Sequence, residues 1–379
     1  MRDTLIDFHK STISGNEIEH ILQAVKNGDL RGDGYYSLAS QNWIEQSFGI
    51  NRSLITPSCT AALELAALLL DISASDEVVL PSYTFPSNAN AFLLRGANLK
   101  LIDIKPDTLN LNENHLYSIV SSRTKVICPV HYAGIVCEMD EIMKIASRNN
   151  IFVVEDAAHA IFSQYKQKYA GSIAHLGTFS FHETKNISCG EGGALLINSS
   201  DFIERAEILR EKGTNRSKYF RGEIHKYSWV DIGSSYLASE LVSAYLYAKL
   251  ENSSESQKKR LEIWNMYYNG LEFLELRGIV KRPFVPSYCM HNAHIFYILT
   301  ESEQIRDELL SYLNNKGIGS VFHYVPLHES AMGQKLGYKK GALPVSEDIS
   351  RRILRLPLHN CLSSSDVNIV ISEIINFYG

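Results

Sequence analysis

Two short segments carry residue types that could do chemistry together. Ser180-Phe181-His182-Glu183-Thr184-Lys185-Asn186 puts a lysine in a loop just past an apolar strand, and Glu155-Asp156-Ala157-Ala158-His159 puts an acid at the end of an earlier one. The pair suits pyridoxal 5′-phosphate (PLP). A lysine can hold that cofactor as a Schiff base, and a carboxylate can keep its ring nitrogen protonated so that the ring draws in electrons. Each residue also has a plainer reading: Lys185 as a solvated loop lysine, Asp156 as the N-cap of the helix after its strand. His159 is placed either to reach the cofactor's ring or phenolic oxygen, or to be a packed structural histidine.

The phosphate of such a cofactor needs backbone N–H donors, hydroxyls and a helix start. Ser58-Cys59-Thr60-Ala61-Ala62 offers all three ahead of an apolar helical stripe, and simple N-capping by Ser58 or Thr60 would leave the same trace. Ser180 adds a further hydroxyl. A flat cover for the ring is available in Pro81-Ser82-Tyr83-Thr84-Phe85, although aromatics after a strand are most often core. The Gly190–Gly193 turn matches neither a dinucleotide fingerprint nor a triphosphate loop, which argues against nucleotide-triphosphate and NAD chemistry.

These residues must be positioned by the elements around them. Near-continuous apolar runs at Glu77–Leu80, Leu99–Ile104, Lys125–Val130, Ile151–Glu155, Gly177–Phe181 and Ala194–Ile197 read as strands buried on both faces of a mostly parallel sheet. Amphipathic stretches such as Ala61–Leu70 and Met139–Asn149 alternate with them. The alternation predicts an open α/β layer structure with ligands at the carboxyl ends of the strands, where Asp156 and Lys185 fall. Tyr236–Glu251 reads as a long helix, and the polar segment Asn252–Arg260 leads into another. His294–Leu299 is strand-like, Gln304–Lys316 helical and Ser320–His323 extended. The expected division is a large domain over 1–251 and a smaller C-terminal α/β domain over 252–379.

Composition narrows the class. The chain has 379 residues, 21% of them charged, with a formal net charge of −5, so it lacks the basic footprint of a nucleic-acid binder. No apolar run approaches the roughly 20 residues of a membrane helix. Met1-Arg2-Asp3-Thr4 opens a mixed polar segment without an apolar leader. The cysteines at 59, 128, 137, 189, 289 and 361 are scattered without a Cys-x-x-Cys pair and read as reduced thiols, not as a metal site. A cytoplasmic protein is expected.

Taken in order, the motifs resemble those of the DegT-type nucleotide-sugar aminotransferases. They are Thr56-Pro57-Ser58-Cys59-Thr60-Ala61-Ala62-Leu63, Pro81–Phe85, Pro129-Val130-His131-Tyr132-Ala133-Gly134, Glu155–His159, Ser180–Asn186, His323-Tyr324-Val325-Pro326-Leu327-His328 and Leu356-Pro357-Leu358. The resemblance covers nearly the whole chain. It implies the aspartate-aminotransferase-like (type I) PLP fold, with a seven-stranded sheet flanked by helices, and a homodimer with active sites at the interface. Lys185 then matches the Schiff-base lysine, Asp156 the pyridinium partner, His159 a residue beside the ring and Phe85 the stacking aromatic. Cys59, Thr60 and Ser180 match phosphate-binding positions. Two departures stand out: Ser58-Cys59-Thr60 replaces the usual Ser-Gly-Thr, and Gly233-Ser234-Ser235-Tyr236 leaves Ser235 where many members supply an asparagine to the partner subunit.

With Gly32-Asp33-Gly34, His182–Lys185 and Arg210-Glu211-Lys212-Gly213-Thr214-Asn215-Arg216, these departures are most similar to one branch, the dTDP-4-amino-4,6-dideoxygalactose transaminases of bacterial surface polysaccharide and lipopolysaccharide synthesis. The implied reaction moves an amino group from L-glutamate to dTDP-4-dehydro-6-deoxyglucose, with pyridoxamine 5′-phosphate as the intermediate form of the cofactor. A histidine in place of the lysine would have implied a sugar dehydratase. Arg216, Lys212, His323 and Tyr324 are candidates for the sugar nucleotide, since phosphates favour cations and sugar hydroxyls favour phenols and imidazoles; each is equally readable as a surface or domain-interface residue. The alternatives are a sister enzyme making the gluco epimer or aminating C3, and a non-catalytic PLP-binding regulator.

Overall fold

The structure, a computed structural model, describes residues 6–13 and 15–379; Met1–Thr4, read above as lacking an apolar leader, lie outside the described residues. The described strands are Arg52–Thr56 (β1), Glu77–Pro81 (β2), Asn98–Ile102 (β3), Thr124–Ile127 (β4), Phe152–Asp156 (β5) and Gln164–Tyr165 (β6). They continue as Lys168–Tyr169 (β7), Leu176–Ser180 (β8), Gly193–Ile197 (β9), Cys289–Met290 (β10), Tyr297–Leu299 (β11) and Ile353–Arg355 (β12). Seven of them make the main sheet, in the order β1-β9-β8-β5-β4-β2-β3. All run parallel except β9, which pairs antiparallel with both of its neighbours. This is the α/β fold with a mostly parallel seven-stranded sheet that the sequence suggests.

Strand alternation explains why apolar runs, not alternating patterns, mark these strands. Leu54, Val78, Val126, Val154 and Leu195 enter one core layer. Their neighbours Ile55, Val79, Ile127, Val153 and Leu196 enter the other, so each face is covered by helices and both need apolar side chains. A third core joins Ile263, Trp264, Tyr267, Leu309, Leu354 and Ile374, and Ile6 from the N-terminal segment packs into it and bridges Ile318.

Three details differ from the sequence reading. β1 was not expected as a strand because it opens on Arg52 and Ser53. Its polar side chains reach back to the helix Tyr35–Phe48, where Ser53 Oγ donates to Gln41 O (3.0 Å) and Arg52 pairs with Glu45 (3.4 Å). The helix expected over Tyr236–Glu251 begins only at Glu240. Upstream, Ser234 and Tyr236 donate their N–H groups to Leu209 O and Arg210 O, and this tertiary pairing holds the segment extended. The polar stretch expected to precede a helix is itself helical, as Ser253–Gly270.

Antiparallel β9 starts where β1 and β8 end. Gly193 is paired with Thr56 on one side and Ser180 on the other, so the loops that follow both strands open at one point. Asp156, at the end of β5, adjoins β8 through Thr178.

Candidate active site

The carboxyl edge of the sheet gathers most of the residues singled out by sequence. Ser58 caps the helix Cys59–Leu69, accepting from Ala61 N at 3.1 Å, and the first-turn N–H groups of that helix have no partner within it. Thr60 Oγ1 lies 2.8 Å from Ser87 Oγ. A Cβ at Gly193 would fall inside contact distance of Cys59 N and the Ser58 carbonyl, so the absence of a side chain there sets how closely β9 approaches the turn. Gly193→Ala is therefore expected to destabilise the fold by about 1–3 kcal/mol and to weaken cofactor binding. Thermal melting and cofactor titration check this, and unchanged values in both would contradict it.

Neighbouring acids on β5 divide their work by strand alternation. Glu155 turns away from the edge, lies 2.9 Å from His131 Nε2 and accepts from the N–H groups of Gly171, Ile173 and Ala174, tying down the chain between β7 and β8. Asp156 is buried, accepting from Ala158 N and Asn88 Nδ2, each at 3.1 Å. Burial pushes its carboxyl pKa up; the Ala158 N–H, Lys185, His131 and Asn88 act in the opposite sense. Asp156 makes no ion pair among the described residues, and the carboxamide oxygen of Asn88 is buried without a partner.

Lys185 follows the β8 loop, where its N–H donates to His182 O (2.9 Å). Burial depresses its amine pKa to about 8, and the Arg355 charge acts in the same direction, while Cys59 and Asp156 offset part of the effect. The Cys59 thiol is pushed up to about 12 by burial and by Asp156, and so stays protonated; Thr178 bonds to it. Cys59 is thus a neutral group within electrostatic reach of both Lys185 and Asp156.

Aromatic and imidazole rings wall the other side. His159 stacks on His323 with centroids 6.1 Å apart and lies 4.4 Å from His294. Tyr324 OH is 3.4 Å from His159 Nε2, and Tyr132 OH is 2.9 Å from His323 Nδ1. Tyr83 donates to His323 O. Phe85 is exposed, 6.2 Å from the Tyr324 ring. Burial holds His159, His294 and His323 well below the usual imidazole pKa, with Lys185 and Arg355 adding to the effect, so these rings are neutral at ordinary pH.

Lys185, Asp156, Cys59, His159, His323 and Tyr324 are thus brought together, with Ser180 buried at the end of β8 and Thr60 and Phe85 at the rim. Lys212, Arg216 and Ser235 are not. Ser235 is exposed and bridges Glu211, and Arg216 donates to Glu211 Oε1 (3.1 Å) and lies 4.9 Å from the Phe220 ring. Arg216 lines a separate surface pocket with Asp33, Arg52 and Arg210. There Arg210 donates to Asp33 Oδ2 (3.2 Å), joining Gly32-Asp33-Gly34 to the Arg210–Arg216 segment.

Sequence reasoning missed Asn88, Thr178 and Arg355. Thr178 carries a hydroxyl in the interior of β8, two residues before Ser180. Asn88 follows the Pro81–Phe85 motif by three residues, and Arg355 interrupts an apolar run immediately before Leu356-Pro357-Leu358.

The residues present fit the cofactor suggested by sequence. A buried carboxylate with two neutral donors and no ion pair among the described residues has room for a ring N–H, and the Lys185 amine, its pKa depressed to about 8, is close enough to act on it electrostatically. A helix N-terminus with adjacent hydroxyls is suited to the phosphate. Among the described residues no group of three or more His, Cys, Asp or Glu side chains is arranged to hold a metal ion, and no helix is long and apolar enough to cross a membrane.

Comparison with known proteins agrees with this geometry. The sequence profile of the DegT/DnrJ/EryC1/StrS aminotransferase family matches residues 11–375. Spore coat polysaccharide biosynthesis protein SpsC of Bacillus subtilis is 30% identical over 98% of this chain and 97% of its own length. Among solved structures, the aminotransferase TlmJ of Streptoalloteichus hindustanus superposes with a TM-score of 0.89 at 27% identity, covering 99% of both chains. A DegT/DnrJ/EryC1/StrS aminotransferase of Brucella abortus superposes with a TM-score of 0.87 at 28% identity, covering 96% of this chain and 95% of that one.

Proposed function

Because the chain belongs to the DegT/DnrJ/EryC1/StrS aminotransferase family, whose sugar aminotransferases depend on PLP, we propose that it moves the amino group of L-glutamate to C4 of dTDP-4-dehydro-6-deoxy-D-glucose. The products are dTDP-4-amino-4,6-dideoxy-D-galactose and 2-oxoglutarate. The observation that carries aminotransfer is the half-buried Lys185 at the carboxyl edge with the buried Asp156, the charge of each acting on the other's pKa and the amine being depressed to about 8. Such an amine is both nucleophile and base near neutral pH.

When bound, PLP supplies the electron sink that stabilises negative charge at the donor's Cα. Lys185 Nζ would hold it covalently, and Asp156 would keep a proton on its ring nitrogen through a charge-assisted hydrogen bond. The Ser58–Thr60 helix start, with Ser180, would take the phosphate. Lys185 Nζ would take the Cα proton of glutamate and pass it to the cofactor, and in the second half-reaction would carry a proton from the cofactor to sugar C4. Neutral His159 and Tyr324 give the site hydrogen-bonding groups without adding charge, and Phe85 covers one face.

The choice of a dTDP-4-keto sugar rests on the resemblance of the branch segments, two of which, Gly32–Gly34 and Arg210–Arg216, meet in the pocket of Asp33, Arg52, Arg210 and Arg216. In this reading the protein is a homodimer. Ser235, Lys212 and Arg216 serve the partner's active site, which accounts for their distance from Lys185 within one chain. The apolar side chains of Trp229, Val230 and Ile232, exposed on the same segment, suit a surface that is covered by a second copy. Residues 1–251 would form the cofactor-binding domain and 252–379 the smaller one.

Arg216→Gln is expected to raise the sugar-nucleotide Kd about tenfold while the glutamate half-reaction keeps its rate. Equal loss in both halves, measured by rapid mixing, would count against this assignment. The reading as a whole is tested by adding glutamate to PLP-loaded protein: the cofactor's yellow colour should bleach with one equivalent of 2-oxoglutarate released, and the 4-keto sugar should restore it. Bleaching without restoration by that sugar would leave aminotransfer standing and overturn the substrate.

A further inference from the structure

We propose that Asn88 is a positioning residue for the cofactor: its amide orients Asp156 and keeps it an anion, so that the proton between Asp156 and the cofactor resides on the ring nitrogen. The inference rests on the aminotransferase reading above and on the part that reading gives Asp156. Asn88 lies in the first turn of the helix Pro86–Leu93, which Pro86 opens and which Ser87 ties to Thr60 Oγ1 at 2.8 Å. Its own N–H donates to Phe85 O (3.2 Å), so the backbone that carries the side chain is fixed. In the main sheet β4 lies between β2, which leads into this helix, and β5, which ends on Asp156. The Asn88 side chain spans that gap and places Nδ2 3.1 Å from Asp156 Oδ2. Asn88 is buried, and it is the one side chain among the described residues that donates to this carboxylate; Ala158 N serves the other oxygen.

The far end of the amide shows what the contact costs. Asn88 Oδ1 is buried without a partner. A leucine would fill the same branched shape without leaving a carbonyl oxygen unpaired, so packing alone does not account for an amide here. Its orientation is decided by charge, since the amide turned over would set Oδ1 against Asp156 Oδ2. The titratable groups around Asp156 do not replace it. Lys185 and His131 act on the carboxylate only through space, and burial keeps Cys59, Cys128 and Tyr324 neutral, none of them hydrogen-bonded to it among the described residues.

A carboxylate in a dry site takes up a proton unless donors stabilise its charged form. An amide N–H does this without giving up its own proton. A lysine or arginine in its place would neutralise the charge that a protonated ring nitrogen needs. With Asn88 removed, Asp156 becomes the stronger base of the pair and holds the shared proton itself, and a neutral ring draws in electrons less well.

The test loads the protein with PLP carrying the heavy nitrogen isotope in its ring, whose NMR resonance distinguishes a protonated ring from a neutral one. Wild-type protein is expected to show the protonated ring. Asn88→Leu, which keeps the shape and removes the donor, should move the resonance toward the neutral ring, weaken PLP binding about tenfold and slow both half-reactions about tenfold, with the half-saturating glutamate concentration unchanged. Asn88→Ala serves as the test if the leucine variant does not fold. Asn88→Asp should retain the protonated ring, because two carboxyls so close share one proton and the protonated one donates as the amide does. A protonated ring in the folded leucine or alanine variant would overturn the assignment, as would a neutral ring in the aspartate variant. A neutral ring in wild-type protein would instead overturn the pairing of Asp156 with the cofactor, and wild-type protein that takes up no PLP would overturn the aminotransferase reading itself.

Discussion

Lys185→Ala is expected to lower turnover at least about 10³-fold while leaving the fold intact, because it removes both the group that would hold the cofactor and the base that moves the proton. The side chain ends a loop whose shape is set by backbone bonds and by the His182 Nδ1···Thr184 Oγ1 contact (3.1 Å), none of which needs the amine. The variant should therefore melt near the wild-type temperature and bind PLP weakly and reversibly. The sign of the pH dependence follows from the depressed pKa. Below about 8 the amine is protonated and unreactive, and above it the amine is free. In cofactor-free wild-type protein, labelling of Lys185 by an amine-reactive reagent should rise from about pH 6, pass its midpoint near 8 and then level off. Peptide mass spectrometry reads this directly. A midpoint above about 10 would show an ordinary solvated lysine.

Asp156→Asn carries the second largest expected effect. It keeps the size of the side chain and its hydrogen bond from Ala158 N, but it removes the charge that would hold a proton on the ring nitrogen. Loss of a preorganised electrostatic partner of this kind lowers rates by about 10²–10³-fold. Both half-reactions should slow together, since each needs the same electron sink, and PLP affinity should fall less than turnover does. Asp156→Ala would also leave Asn88 Nδ2 without its acceptor, and should cost stability as well. If Asp156→Asn retained wild-type turnover, the pairing of acid and cofactor would have to be abandoned.

The sheet was readable because doubly covered strands must be apolar on both faces, and that demand leaves continuous runs such as Val78–Leu80 and Leu195–Ile197. β1 escaped because it opens on two polar residues and its strand partner, β9, is remote in sequence, so nothing local announces that Arg52 and Ser53 are accommodated there. Tyr236–Ser239 looked helical for a similar reason: its Ala, Leu and Tyr content favours a helix, and the backbone bonds to Leu209 and Arg210 override that preference.

The candidate site shows the same division. Lys185 and Asp156 stand at strand ends, so local pattern alone puts them on the edge where ligands gather. Thr178 and Asn88 are ordinary in sequence and acquire meaning only from the neighbours they touch. Arg355 depends on β11 and β12 folding against the carboxyl edge of the main sheet, and its only sequence trace is a cation placed among leucines. Lys212, Arg216 and Ser235, named from sequence as substrate- and phosphate-binding candidates, are not gathered around Lys185 within one chain; in the proposed dimer their relation to the site passes through a second subunit.

The most direct test of the central claim is the NMR spectrum of the product formed from PLP-loaded protein, L-glutamate and dTDP-4-dehydro-6-deoxy-D-glucose. An amine on C4 in the axial orientation is the expected result. An equatorial amine would keep the mechanism and change the product, whereas recovery of the keto sugar without any aminated species would contradict the proposed function.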